Sequence, residues 1–564
     1  MSSSIATVTR WAGRAVLVAA VAIATGCGGG GSASSGGPAK QILQIGTVYY
    51  ISTLNPFTGI ETQDTTAYEM VYPQLVQYGP GLKLVGDWAK SWTHTPDGLK
   101  WTFHLRPGGK WSDGVPLTAQ DAVWTFDTTL KYANGPTSYL SSTLDGVKSV
   151  TAPNKNTLVL TYSRPVAPVL ANLEQMFVLP EHVWKSHVGP HGSGIKAFHP
   201  ENSLPLVSGG PYSITSYQEK GTTVFRPNPY FYGPKSNASA VTLTYYTNST
   251  SMVADMEAGK LDMIDAVPYS AASTLKHQSG VILSIQAGSE VTNLGFNSNP
   301  LKPKNRELLD PTVKQAFEYA IPRQQIVDVI FRGYAVPWAN IMSRQSQGEG
   351  WLNPEVKPLP YDPAKANQIL DSLGYKRGSG GIRVVPATTG KYAQAAHQMS
   401  YPVIVPDDLD FDGDRQAQIL TAAFNKIGVK LNEVNGGDGS QAYTMITAPN
   451  YKYLSADMYT WYWHPYIDPS FNLSTVTYAQ WGNNSDTGWN NPTYDHWWQQ
   501  QATTVDVPTR RQIVWRMEAY EAQQRPYIQL VDTDELTAYS DKWTGFEPAL
   551  GGYCKCYYTS PHPS

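Results

Sequence analysis

The stretch RQAQILTAAFNKIGVKL, residues 415–431, constrains the architecture most. Ile419, Ala423, Phe424 and Ile427 fall on one face at helical spacing, Gly428 stops the helix, and an apolar strand follows directly. A second unit of the same kind is DPAKANQILDSLGY. There Asp362 suits the N-cap, Pro363 the first helical position and Gly374 the residue just past the end, while Ala366, Ile369, Leu370 and Leu373 form the stripe. The first third reads instead as strands and turns. KWTFHLRPGGKWSDGVPLTAQDAVWTF puts Trp101, Phe103 and Leu105 on one face of a strand, turns at Pro107 to Gly109 and at Asp113-Gly114, and opens a helix after Thr118. Mixed helices and strands without an internal repeat imply an α/β protein of more than one lobe.

The chain of 564 residues is long enough for two cores, and its net charge of −3 argues against nucleic acid as a partner. Arg10 and Arg14 precede the apolar run AVLVAAVAIA, which is too short for a permanent membrane helix and reads as a secretory signal. It ends at ATGC, and a Gly/Ser-rich tether with no capacity to form a core follows. Cys554 and Cys556 stand one residue apart, where a disulfide would close a small strained ring. A disulfide and two thiols both stay open, and CxC alone is a poor metal signal.

The 17 Trp and 35 Tyr are unusually many, and most of them are expected in cores; the stretch TWYWHPYIDPSF, residues 460–471, holds six aromatic rings, two prolines and Asp468. The prolines speak against a regular helix or a central strand, so an irregular, functional loop is expected. Trp461, Tyr462, Trp463 and His464 are its candidate ligand-facing side chains, since such rings hold polar ligands by stacking.

Several weaker patterns compete. Asp408, Asp410 and Asp412 with Gly413 resemble the start of a calcium loop, but position twelve is Ile419 rather than a bidentate Glu. His182, His187 and His191 lack the spacing of a metalloprotease helix. Lys302, Lys304 and Arg306 read as a solvated face. Neither a phosphate-binding loop nor a nucleophile elbow is present, so nothing in the residues speaks for catalysis or for a cofactor.

Ordered motifs across the mature chain carry a family resemblance. GDWAKSWTHTPDGLKWTFHLRPGGKWSDGVPLTAQDAVWTF is similar to the signature region of the family 5 extracytoplasmic solute-binding proteins of bacterial ABC importers, the peptide- and nickel-binding group. STLNP, VSGGPYSITSYQEKGTTVFRPNPYFYG, MEAGKLDMID, the segment Leu294 to Pro337 and YDPAKANQILDSLGY follow in that family's order. ATGC resembles a lipoprotein signal, which implies a lipid on Cys27. The resemblance implies the two-lobe periplasmic-binding-protein fold, type II and cluster C-like, with an extra subdomain in the first lobe. It also implies an extracytoplasmic monomer, held to the membrane by its lipid, that serves permease subunits of an ABC transporter without acting as an enzyme.

Residues 1–26 are then signal, 27–39 tether, 40–290 the first lobe, 291–531 the second and 532–564 a return to the first. Crossings are expected near Val291 to Asn297 and near Tyr527 to Thr533. TGIETQ matches the stretch whose backbone pairs with an extended peptide, which nominates Gly59, Ile60, Glu61 and Thr62. Tyr139 matches an aromatic lining the cleft. The aspartate that takes a peptide's amino group falls on Pro465, leaving Asp468, His464 or Glu61 as substitute acceptors. An oligopeptide is the leading cargo, an oligosaccharide stacked on the rings the alternative, and a secreted hydrolase the competing class.

Overall fold

The computed structural model describes residues 41–59, 61–390, 393–407, 409, 411–464, 466–546 and 559–564. Two long strands dominate it. Val281–Phe296 and Tyr527–Ser540 pair antiparallel at the centre of an eleven-stranded sheet. The segments expected as crossings fall on these strands, except Asn297, one residue past the end of the first.

On one side of this pair, Met458–Trp463 joins Val281–Phe296, and Ser400–Val405 and Lys430–Asn435 continue the sheet in parallel. On the other, Met263–Ile264 joins Tyr527–Ser540, followed by Ile42–Thr47, Ala240–Tyr245, Thr222–Pro227 and Tyr212–Ser216. A separate four-stranded antiparallel sheet is built from Ala89–His94, Lys100–Leu105, Thr157–Tyr162 and Val147–Asn154.

The hydrophobic cores divide along the same line. Leu43, Trp88, Phe103 and Val241 belong to one large core, with Ile264, Leu536 and Ala538 in a smaller one beside it. Leu294, Phe317, Phe424 and Val531 form a third, and Tyr459, Leu473, Met517 and Tyr527 a fourth. The result is a two-lobed α/β protein. Each long strand contributes to cores on both sides, because its ends lie against different packed layers.

The helices read from the sequence form for the reasons given. Gly413–Lys426 buries Ile419, Ala423 and Phe424, and Asp412 caps it by accepting from the Arg415 N–H at 2.9 Å. Gly428 has φ +76°, and a Cβ there would lie 2.8 Å from an Arg377 guanidinium nitrogen, so glycine is required twice over. Pro363–Ser372 starts on Asp362, whose side chain accepts from the Lys365 N–H, and it buries Ala366 and Leu370. Trp101, Phe103 and Leu105 all face the core.

One expectation fails. Lys302 is not solvated: it is 2% exposed and ion-paired with Asp457 at 2.9 Å, because the chain turns inward at Asn299 to Asn305 and Asn305 adds its own amide to Asp457.

Candidate functional site

The first-lobe part of the site is the loop Ser52–Gly59, which enters the helix Thr62–Val71. Buried Asp64 accepts from the Ser52 N–H at 2.6 Å, the Ser52 hydroxyl at 2.7 Å and the Thr53 N–H at 3.2 Å. The Tyr68 hydroxyl donates to the Thr53 carbonyl at 2.8 Å. Burial, with Asp64 adding to it, pushes that phenol well above its ordinary pKa, so it stays a donor. A Cβ on Gly59 would lie 2.0 Å from the same hydroxyl, which explains the glycine. Gln63 donates to Asp265 at 2.7 Å and Thr47 at 3.1 Å; burial raises the Asp265 carboxyl to about 6. These contacts fix the loop before any ligand arrives.

The Asn55 amide then ties this loop to a second, donating to the carbonyls of Ile195 at 2.7 Å and Phe198 at 3.0 Å. The short helix Ser138–Ser141 brings Tyr139, which is 54% exposed. These three segments enclose a cavity of about 390 Å³ walled by Phe57, Thr58, Ser138, Tyr139, Lys196 and Phe198, among others. Of the described residues of TGIETQ, Thr58 lines the cavity together with Tyr139, far apart in sequence, whereas the nominated Gly59 and Glu61 are not among its lining residues. Glu61 stays exposed at the N-cap of the helix and makes no side-chain cap bond; Thr62 is the first helical residue, and Ile60 lies outside the described residues.

The second-lobe band differs from expectation in three ways. First, it is a regular strand as far as Trp463, since its prolines come only afterwards: Met458–Trp463 pairs with Val281–Phe296 in register, Trp461 opposite Asn293. Pro465 lies outside the described residues, and Pro469 opens the helix Pro469–Ser474.

Second, the rings do not form one stacking wall, because a strand sends successive side chains to opposite faces. Trp461 and Trp463 pack with Tyr459 in one core, and the Trp463 indole donates to the Tyr527 hydroxyl at 3.2 Å. Tyr462 points the other way, 6.1 Å from Phe411 and 5.2 Å from His464 between ring centres. The His464 imidazole is largely exposed, 3.9 Å from the carboxylate of buried Glu290.

Third, Asp468 is already engaged. It accepts from both terminal nitrogens of Arg510 at 2.7 Å and from the Ser470 N–H at 2.9 Å, as the N-cap of its helix. Burial alone would raise its carboxyl, but the Arg510 guanidinium and these hydrogen bonds hold it below the usual carboxylate value. The Arg510 guanidinium already balances the charge that an ammonium group would seek there.

Tyr466 is the second-lobe ring that reaches the first lobe. It packs on Phe471 at 4.6 Å, and Phe471 lies 6.0 Å from Trp463. Burial pushes the Tyr466 phenol up, with Tyr139 and Glu174 of the first lobe adding to it. Tyr466 was legible as part of the aromatic band. Ser138, Lys196 and Phe198 carry no local signal, since only the folded chain brings their loops to the cavity.

The competing patterns resolve separately. His182 pairs with Asp113 at 2.8 Å, while His187 stacks on Phe198 at 3.8 Å. Asp412 serves as a helix cap and Ile419 is buried; Asp408 and Asp410, like Cys27, Cys554 and Cys556, lie outside the described residues.

The model of the bacterial extracellular solute-binding proteins, family 5 Middle, matches residues 83–484. The chain is 29% identical over 301 residues to the probable D,D-dipeptide-binding periplasmic protein DdpA of Escherichia coli K12, covering 52% of this chain and 55% of that one. It is 31% identical over 313 residues to a putative ABC transporter peptide-binding protein of Brucella ovis, 55% of this chain and 56% of the relative. It thus spans about half the length of these relatives. Protein XP55 of Streptomyces lividans is 27% identical over 467 residues, 81% of this chain and 78% of that one.

Among solved structures, the periplasmic binding protein DppA of Helicobacter pylori in complex with the peptide STSA aligns with TM-score 0.71 and 17% identity. It covers 93% of this chain and 98% of that one. The substrate-binding protein CtaP of Listeria monocytogenes aligns with TM-score 0.77 and 18% identity, over 93% and 99%. These structures share the two-lobed fold. With the family model matching most of its length, the chain belongs to the bacterial extracellular solute-binding proteins of family 5.

Proposed function

We propose that the chain is the ligand receptor of an ABC importer. It captures a small polar solute, foremost an oligopeptide, between its lobes and passes it unaltered to the permease. The observation that carries this reading is the pair of long strands joining separate cores, with a preformed cavity on one lobe. A few residues changing φ and ψ in those strands suffice to close such lobes.

The lobes divide at 40–290 and 291–531, with 532–564 returning to the first. Core membership supports this division: Leu283 packs on one side and Leu294 on the other, as Leu536 and Val531 do in the second strand. The register break between Ala287 and Val291 offers the flexible point. Gly59 to Thr62 and Tyr139 supply the first-lobe contacts, the former through backbone, and His464 and Tyr466 the second-lobe ones. Relatives described as peptide-binding favour a peptide, and the split faces of the ring band disfavour a sugar stacked across it. A lipid on Cys27 keeps the receptor at the outer face of the membrane.

The test is a thermal-shift screen of di- to hexapeptides against xylo- and cello-oligosaccharides, with mass spectrometry of the ligand afterwards. Peptides are expected to raise the melting temperature by mass action and to be recovered intact. Stabilisation by sugars alone would overturn the peptide reading, and a cleaved peptide the receptor reading.

A further inference from the structure

The cavity of the first lobe has a chemical bias that the family assignment does not contain. Its apolar walls are Phe57 and Phe198, and its polar rim carries the hydroxyls of Thr58, Ser138 and Tyr139. Among the described residues no carboxylate lines it. Two lining residues are basic, and they differ in circumstance. His199 meets the Glu201 carboxylate through Nδ1 at 2.9 Å. Lys196 makes no ion pair among the described residues and brings its positive charge to the cavity.

The surrounding acids do not neutralise it. Asp64 is buried beneath the loop with its oxygens engaged by Ser52 and Thr53, and Glu61 sits at the helix head rather than in the wall. On the second lobe the charge that an amino group would seek is cancelled by Arg510. Electrostatics across the cleft therefore select a negative group in the cavity over a positive one at Asp468.

We propose that the cavity is a carboxylate subsite in which Lys196 pairs with an acidic group of the solute, Ser138 and Tyr139 donate hydrogen bonds to it, and the adjoining moiety packs between Phe57 and Phe198. This rests on the receptor reading above and adds which end of the solute the first lobe reads. Hydroxyl donors and an ammonium group suit a carboxylate, and the ammonium repels a second cation. Lys196 stands at the end of the short helix Ser193–Ala197 and is exposed, so its substitution leaves the cores intact.

The experiment is calorimetric titration of the intact protein with trialanine as the free acid and as its C-terminal amide, repeated with Lys196→Gln and Lys196→Arg. The acid is expected to bind at least tenfold more tightly than the amide. In Lys196→Gln that preference disappears through weaker binding of the acid alone, and Lys196→Arg restores most of it. Raising salt from 50 to 500 mM narrows the preference, as for any solvent-accessible pair. Equal binding of acid and amide by the native protein, or equal weakening of both in Lys196→Gln, would overturn the subsite.

If neither peptide binds, the peptide reading has failed rather than the subsite. The same comparison is then made with xylotriose and its glucuronate-bearing counterpart: preference for the uronate keeps the subsite, and indifference or no binding overturns it.

Discussion

The loop Ser52–Gly59 and the band Met458–Ser474 were both nominated as cleft walls, and they are built on opposite plans. In the first, buried side chains from beneath satisfy the backbone: Asp64 and Tyr68 hold Ser52 and Thr53, and Asn55 reaches across to the next loop. Its outer surface is left unspent, and a cavity opens there. In the second, the chemistry is consumed internally. Asp468 is locked to Arg510, Trp463 to Tyr527, and Trp461 to its core. A loop whose polar groups are satisfied from behind thus keeps its outer face available, whereas the band's polar groups are engaged with each other.

That contrast can be broken at several points. The largest effect belongs to Arg510→Met, which strands a buried carboxylate and is expected to lower stability by about 3–5 kcal/mol in urea unfolding. Unchanged stability together with lost ligand binding would mean that Asp468 serves the ligand after all.

The pH response should distinguish the two regions next. Asp265, under the first loop, has its folded pKa raised from 3.8 to about 6, so its protonated form favours the fold. Its contribution is fully present below pH 3.8 and is lost as pH rises to about 6. The difference is on the order of 2–3 kcal/mol, and Asp265→Asn abolishes that slope. Asp468 has its pKa lowered, so its contribution is present above pH 3.8 and is lost on acidification below it. Unfolding series from pH 3 to pH 7 on the two Asn variants check both signs.

Gly59→Ala forces a Cβ against the Tyr68 hydroxyl and is expected to cost about 1–3 kcal/mol, with a matching loss of ligand affinity as the loop shifts. Intact affinity would show that this loop does not shape the site. The smallest stability effect falls on Tyr139→Ala, within about 0.5 kcal/mol because the ring is largely exposed, while ligand affinity falls severalfold. Equal affinity would remove Tyr139 from the site.

Much of the fold was legible because it rests on local rules. The caps Asp362 and Asp412, the stops Gly374 and Gly428 and the face of Trp101, Phe103 and Leu105 need only neighbours in sequence. The ring band misled because proline was weighed over alternation. Its prolines fall after residue 463, and a period of two then sends Tyr462 away from Trp461 and Trp463. Lys302 and Asp468 misled because nothing local announces Asp457 or Arg510, each a distant partner. The cavity was partly visible: Tyr139 came through resemblance, whereas Lys196 and Phe198 required distant segments to converge.

A receptor of this kind requires its two lobes to close on a ligand seated in the first-lobe cavity. Small-angle X-ray scattering during titration with a stabilising peptide checks that closure. The radius of gyration is expected to fall and saturate with occupancy, and not to fall in a variant that no longer binds the peptide. Scattering curves that superimpose from empty to saturated protein, while calorimetry records binding, would contradict it.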